Sequence, residues 1–575
     1  MSPPALTADC VAGVIARFLK ARGVRRVFAL CGGHIMPIWM RVDAEGIEII
    51  DVRDERAAVY MAHAHSELTG ELGVALVTAG PGVTNAMTGI ANAHVSRASV
   101  LVLSGVPPRP QENRGALQDM VHVDLVRSIT RYARTVREPS LALAELSEAV
   151  ARALGEGGDP GPAYLDFPTD TLRAEVPKAL QGAEYFRASQ PITFLPDPVQ
   201  VEAAAELLSS AKRPLVITGR GADGAGPEIV ALLDRLGAAY LDTGESKGLV
   251  PDSHPSVVAA VRGTILGDAD LVITIGRKLD FQLGYGSPAV FGDAKFIRIS
   301  DSVAELRDNR RADIAIFASP IQALRAIVEA LGQRKTATDH NWLQGHRTNH
   351  EARVKKFDAG LRSIRVGRDG RIHPNWLLAE LREHMPQDSV VVVDGGDFLS
   401  FARVALPATT YLDPGPLGCI GVGTPFGIAA SLACPGKTVV VATGDGAFGF
   451  NAMELDTAVR HHAPVLIVVA NNGAWQIEVH DQEETHGRVV GTQLQFADYA
   501  AMARAFGMHA ERVEDPELLT SAIERALSRR PALLDVVVTP EAISSDGKSG
   551  LAWVPDLQPL EAWDKAEHAW RDGRK

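Results

Sequence analysis

Eleven short apolar runs punctuate this chain: RRVFAL, GVALVTAG, SVLVLSG, PAYLDFP, RPLVITG, DLVITIG, KFIRIS, SVVVVDGG, KTVVVATG, PVLIVVANN and PALLDVVV. They are rich in Val, Ile and Leu and lack polar alternation, so they read as strands buried on both faces. Helix-length segments separate them and many end in Gly, Asp or Asn, which predicts βαβ units and parallel sheets. A chain of 575 residues exceeds what one core supports. Breaks at RASQPITFLPDP and in the charged stretch near 333–370 divide it into units at 1–185, 195–335 and 365–540. The expected fold is therefore α/β, with three doubly wound parallel-sheet domains. A tail at 541–575 lies beyond the last strand and carries three of the seven tryptophans.

Charge and cysteine content exclude several classes. A net charge of −12 with no long basic run argues against nucleic acid and anionic membrane as partners. The four cysteines (Cys10, Cys31, Cys419, Cys434) lack CxxC spacing, so neither a zinc site nor a disulfide framework is indicated. The N-terminal stretch reads as Asp9 capping an amphipathic helix, without the apolar core of a signal peptide. No apolar run approaches the roughly 20 residues of a membrane span. A cytoplasmic protein is expected.

The densest chemical signal is GDGAFGFNAMELDTAVRHHAPVLIVVANN, 444–472. Ligands of parallel sheets bind beyond the carboxyl ends of the strands. Asp445 follows one strand and Asn471 and Asn472 follow the next, so both ends are expected to face one ligand. Asp and Asn oxygens suit Mg²⁺, which keeps phosphate oxygens and water in its shell. Gly444 and Gly446 let backbone approach a diphosphate, and the helix that follows supplies amide donors.

On these residues the chain resembles the thiamine-diphosphate-dependent enzymes related to acetolactate synthase, benzaldehyde lyase and oxalyl-CoA decarboxylase. The resemblance covers essentially 1–540, in the order pyrimidine-binding, middle and diphosphate-binding domains. It implies that Asp445, the Asn472 side chain and the Ala474 carbonyl hold Mg²⁺, and that Gly444, Gly446, Ala447 and Asn472 contact thiamine diphosphate. IIDVRDERAAVYMAHAHSELTG resembles the segment bearing the catalytic glutamate, here Glu55, with Asp54 where His is usual. A carboxyl at the aminopyrimidine N1′ drives the tautomerisation that lets the cofactor lose its C2 proton. VVVVDGGDFLSFAR matches a diphosphate-contacting turn with Gly396, Asp397 and Phe398. GPLGCIGVG matches the segment that bends the cofactor, with Gly418 beside it and Ile420 as the wedge. A homodimer or homotetramer with active sites at subunit interfaces is implied.

Two motifs read differently. VITGRGADGAG carries G-x-G-x-x-G (Gly219, Gly221, Gly224) with Asp242 downstream, a dinucleotide fingerprint when taken alone. It falls in the middle domain, where nucleotide-binding relatives have acids near the positions of Ser300 and Ser319. FAD is not expected, and ADP is left open. RHHAP places His461 and His462 about 100° apart on a helix, which suits a solvated helix end better than a shared metal.

For the reaction, FALCGGHIMPIW resembles the benzaldehyde lyase segment bearing an active-site histidine, His34, and Gln118 falls where relatives keep Gln or Glu. Arg262 and Arg403 match arginines near the nucleotide end of coenzyme A in oxalyl-CoA decarboxylases. SSDGKSGLAWVP is similar to their lid over the active site. The combination most resembles bacterial 2-hydroxyacyl-CoA lyases acting on short branched substrates such as 2-hydroxyisobutyryl-CoA. That implies an acyl-CoA substrate cleaved reversibly to a ketone or aldehyde and formyl-CoA. Gln493, in HGRVVGTQL, stands where an acid is expected in those lyases; Gln holds a hydroxyl but cannot take its proton. A hydroxyketone lyase without coenzyme A and an oxalyl-CoA-type decarboxylase stay open, as do a nucleotide-dependent oxidoreductase and a silent regulatory homologue.

Overall fold

A computed structural model describes residues 6–156, 158–187, 192–544, 547 and 555–573. The apolar runs form three sheets in which every ladder is parallel. The first contains β1 (Arg26–Ala29), β2 (Glu48–Asp51), β3 (Gly73–Val77), β4 (Val100–Val106), β5 (Tyr132–Thr135) and β6 (Ala163–Pro168). Its order is β2-β1-β3-β4-β6-β5. The second contains β7 (Pro214–Thr218), β8 (Ala239–Leu241), β9 (Leu271–Ile275), β10 (Lys295–Ser300) and β11 (Ile314–Phe317), in the order β11-β10-β9-β7-β8. The third contains β12 (Val390–Asp394), β13 (Thr410–Leu412), β14 (Val439–Gly444), β15 (Val465–Asn471), β16 (His509–Val513) and β17 (Ala532–Val537), in the order β13-β12-β14-β15-β17-β16. The central strands are buried on both faces, as their unbroken apolar character requires. The fold is α/β, with three doubly wound parallel-sheet domains.

The first and third domains share one apolar core. The helix Glu55–Thr69 lies against the helix Gly423–Ala433, and Tyr60 and His63 set their rings edge-on to Phe426 (centroids 6.1 and 5.1 Å). The first and middle domains meet instead through charge. Arg97 reaches Asp301 and Glu305 (3.0 Å each), and Arg220 pairs with Glu67.

Between the middle and third domains the charged stretch contains a long helix, His340–Leu361, capped by Asp339. The tail continues from the third domain to the middle one. Ser544 N donates to Asp397 Oδ1 (3.2 Å), and the last helix, Glu561–Asp572, packs on Pro288–Phe291. Of the lid segment SSDGKSGLAWVP, all but Ser544, Gly547 and Pro555 lies outside the described residues. No helix of the described residues is long and apolar enough to cross a membrane.

One local expectation is corrected. The first helix, Val11–Ala21, is capped by Cys10, not Asp9: Cys10 Sγ accepts from Gly13 N (3.4 Å). A Cβ at Gly13 would lie 2.6 Å from the Ala8 carbonyl oxygen, so the incoming chain crosses the helix start and leaves Asp9 facing Arg17 (3.5 Å).

Candidate active site

The carboxyl ends of the first sheet assemble titratable side chains. β2 leads into Glu55, the first residue of its helix, with Asp54 as N-cap accepting from Arg56 N (2.8 Å). An acidic cap stabilises a helix start, a physical reason for Asp at a position where His is usual. Glu55 is 7% exposed. Its Oε2 accepts from Asn85 Nδ2 (3.0 Å), and its Oε1 faces Gly82, where an added Cβ would come within 3.4 Å. Asn85 and Gly82 both belong to the helix Pro81–Val95, so the carboxylate lies against that helix's first turns.

His34 follows β1 and is half-buried. Its Nδ1 lies 3.0 Å from Gln118 Oε1, an arrangement that puts the proton on Nδ1 and leaves the Nε2 lone pair free. Burial holds its pKa below the ordinary histidine value, with a smaller contribution in the same direction from His122. Gln118 sits at φ +64°, a conformation rare outside glycine and a sign of a locally over-determined backbone. A buried column supports it. Gly80 N donates to His122 Nε2 (2.8 Å), His122 Nδ1 meets Asp166 (3.2 Å), and Tyr164 donates to the same Asp166 oxygen (3.0 Å). Gly80 packs on Gln118 so closely that a Cβ there would lie 2.8 Å from the Gln118 Cβ.

The carboxyl ends of the third sheet build a cradle of backbone around one acid. Asp445, 1% exposed, opens the short helix Asp445–Phe448, and its Oδ2 accepts from Gly473 N (3.1 Å). Burial pushes its pKa up to about 6 despite these amide bonds, so a cation beside it would offset the cost of its charge. Asn472 Oδ1 accepts from Ala474 N (3.2 Å), and Ala474 bridges Gln493 in an antiparallel pair. This brings Asp445, Asn472, Ala474 and the Gln493 backbone together; the Gln493 side chain is exposed. Among the described residues no group of three or more His, Cys, Asp or Glu side chains is arranged to hold a metal ion. A set with a single carboxylate, completed by phosphate and water, is the kind Mg²⁺ takes.

Glycines shape the rest of this cradle. An added Cβ at Gly446 would strike the Trp475 ring at 2.6 Å, and one at Gly395 (φ +104°) would meet Ala447 at 3.5 Å. Gly396 caps the helix Asp397–Ala405, Phe398 lies beside Gly444, and Asp397 and Phe398 are both buried. Space and amide donors for a diphosphate are therefore present. Gly418 (φ +68°) and Ile420 stand on the loop before the helix Gly423–Ala433. Asp394 fixes that loop by accepting from Gly395 N (2.7 Å), Gly421 N (3.0 Å) and Gly423 N (2.7 Å).

Two expectations change. Asn471 does not face the Asp445 strand end: it is fully buried, and its Nδ2 donates to Asp535 Oδ1 and the Ala497 carbonyl (both 2.9 Å). As the last residue of β15 it points to the face opposite its neighbour. His461 is not a solvated helix end either; it contacts Asp51 (2.8 Å) beside the Arg460–Asp51 pair (2.6 Å) and joins the third domain to the first.

In the middle domain the fingerprint glycines serve packing of loop on loop. A Cβ at Gly221 would lie 2.8 Å from Gly276 Cα, and the buried Arg277 covers Gly219 and pairs with Asp280 (2.8 Å). Ser300 Oγ donates to Glu305 (2.8 Å), which also receives Arg97.

A cavity of about 1150 Å³ opens between the middle domain, the long helix, the helix Asp397–Ala405 and the tail. Its lining has seven Lys and Arg against four Asp and Glu, with Arg262 and Arg403 on different walls and Pro559, Leu560 and Trp563 from the tail. Burial, with the charge of Arg277 next, lowers the Arg262 pKa to about 10. Lys247 donates to the Arg403 and Leu406 carbonyls (2.9 Å each), closing the helix end that bears Arg403. Asp397 and Arg403 are six residues apart on that helix, a rise of about 9 Å. One rigid element thus links the turn at 395–398 to the cavity.

Sequence reasoning missed Asn85, His122, Asp166 and Asp394. Asp394 ends VVVVD much as Asp445 follows VVVATG, a signal that was readable. The others depend on contacts between distant segments.

Models of the thiamine pyrophosphate enzyme domains match three segments: the N-terminal TPP-binding domain at 10–126, the central domain at 201–327 and the C-terminal TPP-binding domain at 394–536. An acetolactate synthase large subunit of Mycobacterium tuberculosis is 34% identical over 547 residues, covering 94% of this chain and 97% of that protein. Human 2-hydroxyacyl-CoA lyase 2 is 32% identical over 538 residues, covering 86% and 83%. Mouse 2-hydroxyacyl-CoA lyase 1 is 30% identical over 557 residues, covering 92% and 94%.

Proposed function

Because the chain belongs to the thiamine pyrophosphate enzyme family, we propose that it is a 2-hydroxyacyl-CoA lyase, cleaving its substrate to a ketone or aldehyde and formyl-CoA. The observation that carries this reading is the basic cavity. Arg262 and Arg403 are distant in sequence and converge on it, and a single helix connects it to the diphosphate turn. Guanidinium groups suit the phosphates of coenzyme A because their planar fork donates two bonds at once.

Thiamine diphosphate, when bound, supplies a carbon nucleophile and an electron sink. Asp445, the Asn472 side chain and the Ala474 carbonyl would hold its Mg²⁺, and the amides and glycines of 395–398 and 444–447 would receive its diphosphate. Ile420, on the loop before the helix Gly423–Ala433, would pack against the cofactor. Glu55 exchanges its proton at Oε1, since Oε2 is held by Asn85. His34, kept neutral by burial and oriented by Gln118, accepts the substrate's 2-hydroxyl proton at Nε2. Gln493 orients that hydroxyl without taking its proton.

The two halves act across a subunit boundary in a symmetric dimer or a tetramer built as a dimer of dimers. Among the described residues no hydrogen bond joins Glu55 or Asn85 to the 444–475 cradle. Exposed apolar side chains adjoin each half in sequence: Met36, Met120 and Val121 near His34 and Gln118, Phe450, Leu494 and Phe496 near the cradle.

Mass spectrometry of products from a panel of 2-hydroxyacyl-CoAs and acyloins tests the reading. A ketone and formyl-CoA are expected from 2-hydroxyisobutyryl-CoA, with Arg262→Ala and Arg403→Ala raising KM more than they lower kcat. Turnover of free acyloins alone, or condensation of 2-keto acids alone, overturns it. With His34 as the base, Gln493→Glu should leave kcat close to the parent; a rise of roughly 10²–10⁴, the usual contribution of a positioned base, would take that role from His34.

A further inference from the structure

Glu454 opens the helix Glu454–Arg460, nine residues beyond Asp445, and is 1% exposed. Its carboxylate nevertheless serves the first domain. Oε1 accepts from Arg53 N (3.0 Å) and Asp54 N (3.1 Å), and Oε2 from Thr457 Oγ1 (2.6 Å). These are the two amides immediately before Glu55. Two flanking contacts reinforce the junction, Arg53 with Asp456 (3.2 Å) and Arg56 with the Phe450 carbonyl (3.2 Å). A buried carboxylate accepting consecutive amides fixes the backbone that aims the next side chain. Burial, with the Asp54 charge in the same direction, pushes the Glu454 pKa up to about 7 although Thr457 and the two amides favour its charge.

We propose that Glu454 is a positioning residue for Glu55 of its own chain, and therefore serves the active site whose metal cradle belongs to the partner, not the site containing its own Asp445. This rests on the reading that each site joins Glu55 of one chain to Asp445 of the other. It assigns a residue of the metal-binding domain to the proton-handling half of the opposite site. Removing the Glu454 carboxylate should leave metal and diphosphate binding nearly intact and disorder the approach to Glu55. An amide oxygen at the same place can still accept both N–H groups, so Glu454→Gln should restore most of what Glu454→Ala loses.

Heterodimers of differently tagged chains test this. Glu454→Ala paired with Asp445→Ala should regain about half of the parent activity, because one site per dimer has both halves intact. Glu454→Ala paired with Glu55→Gln should regain none. The opposite pattern overturns the proposal. The control pair, Glu55→Gln with Asp445→Ala, checks the cross-subunit premise separately; if it shows no regain, that premise falls and the assignment to the partner's site falls with it. A readout independent of turnover is amide hydrogen exchange in the cofactor-free protein. Glu454→Ala should speed exchange around 53–55 by at least ~10-fold, about 1.4 kcal/mol of lost protection, and leave 444–447 unchanged. Unchanged exchange at 53–55 sinks the positioning role. If Glu454→Ala fails to fold, Glu454→Asp, which keeps the charge but withdraws the oxygens by one methylene, goes through the same pairs and the same exchange measurement.

Discussion

The first and third sheets share one strand order, β2-β1-β3-β4-β6-β5 against β13-β12-β14-β15-β17-β16, yet equivalent strand ends carry opposite kinds of chemistry. After its opening strand the first domain presents the ring of His34; the third presents Asp394 and the bare backbone of Gly395 and Gly396. After the third strand in sequence the first domain leads to Gly80 and the helix Pro81–Val95. The third domain leads to Gly444, Asp445 and the helix Asp445–Phe448. Proton transfer needs side-chain atoms whose affinity for protons is tuned by burial. A diphosphate needs close backbone approach and a cation. The comparison teaches that the scaffold supplies positions at strand ends, and the residues placed there decide the chemistry.

The largest expected effects separate the two halves. Asp445→Ala should abolish retention of Mg²⁺ and thiamine diphosphate while leaving circular dichroism unchanged, because it removes the anionic ligand from the cradle. Calorimetry finding parent-like cofactor affinity would break the comparison at the third domain. Glu55→Gln should do the reverse: cofactor binds, but C2–H exchange of the bound cofactor slows by at least ~100-fold. A parent-like exchange rate would break it at the first domain.

Much of this division was legible in the sequence, for a physical reason. Strands buried on both faces must be apolar throughout, so the runs declare themselves, and the glycines and Asp445 at their ends are local features. Glu55, Asp445, Asn472 and Ala474 are named from the family resemblance of short local segments, and the structure gathers the last three at one strand end. The supports could not. His122 reaches Gly80 and Asp166 across 42 and 44 residues of chain, and Glu454 reaches Arg53 across 401. Nothing local marks such pairs. Asn471 misled for a related reason: adjacent strand residues face opposite sides, so NN at a strand end cannot aim both side chains at one ligand.

That pair of asparagines gives a finer test. Asn472→Ala should weaken Mg²⁺-dependent cofactor binding and leave thermal stability close to the parent. Asn471→Ala should do the opposite, lowering stability by about 1–3 kcal/mol because Asp535 loses a buried donor. Denaturant titration and calorimetry on both variants decide it. If Asn471→Ala affects cofactor binding as strongly as Asn472→Ala, the two side chains act together and the division at this strand end fails.

The smallest effect concerns how the first domain is held. Against the third domain it buries apolar surface edged by the Asp51 and Arg53 ion pairs; against the middle domain it relies on Arg220 with Glu67 and Arg97 with Asp301 and Glu305. Burial alone would raise the Glu67 pKa, but the Arg220 charge and then His63 outweigh it and hold it at about 2, against 4.5 for an unperturbed glutamate. A carboxylate whose pKa is depressed on folding contributes stability above its unfolded value. That contribution fades as pH falls from about 4.5 towards about 2. The pair is partly solvated and screened, so its contribution is on the order of 1 kcal/mol. Glu67→Gln should therefore unfold earlier than the parent at pH 7, and the gap should narrow steadily below about pH 4.5. The apolar contact with the third domain has no such titration, so Tyr60→Leu should lower stability by an amount that does not vary with pH over the same range. Parallel thermal melts of the three proteins from pH 7 to pH 3.5 provide the measurement. A Glu67→Gln gap that stays constant with pH would show that the ionic contact does not contribute in this way, and the contrast between the two faces of the first domain would then rest on the apolar core alone.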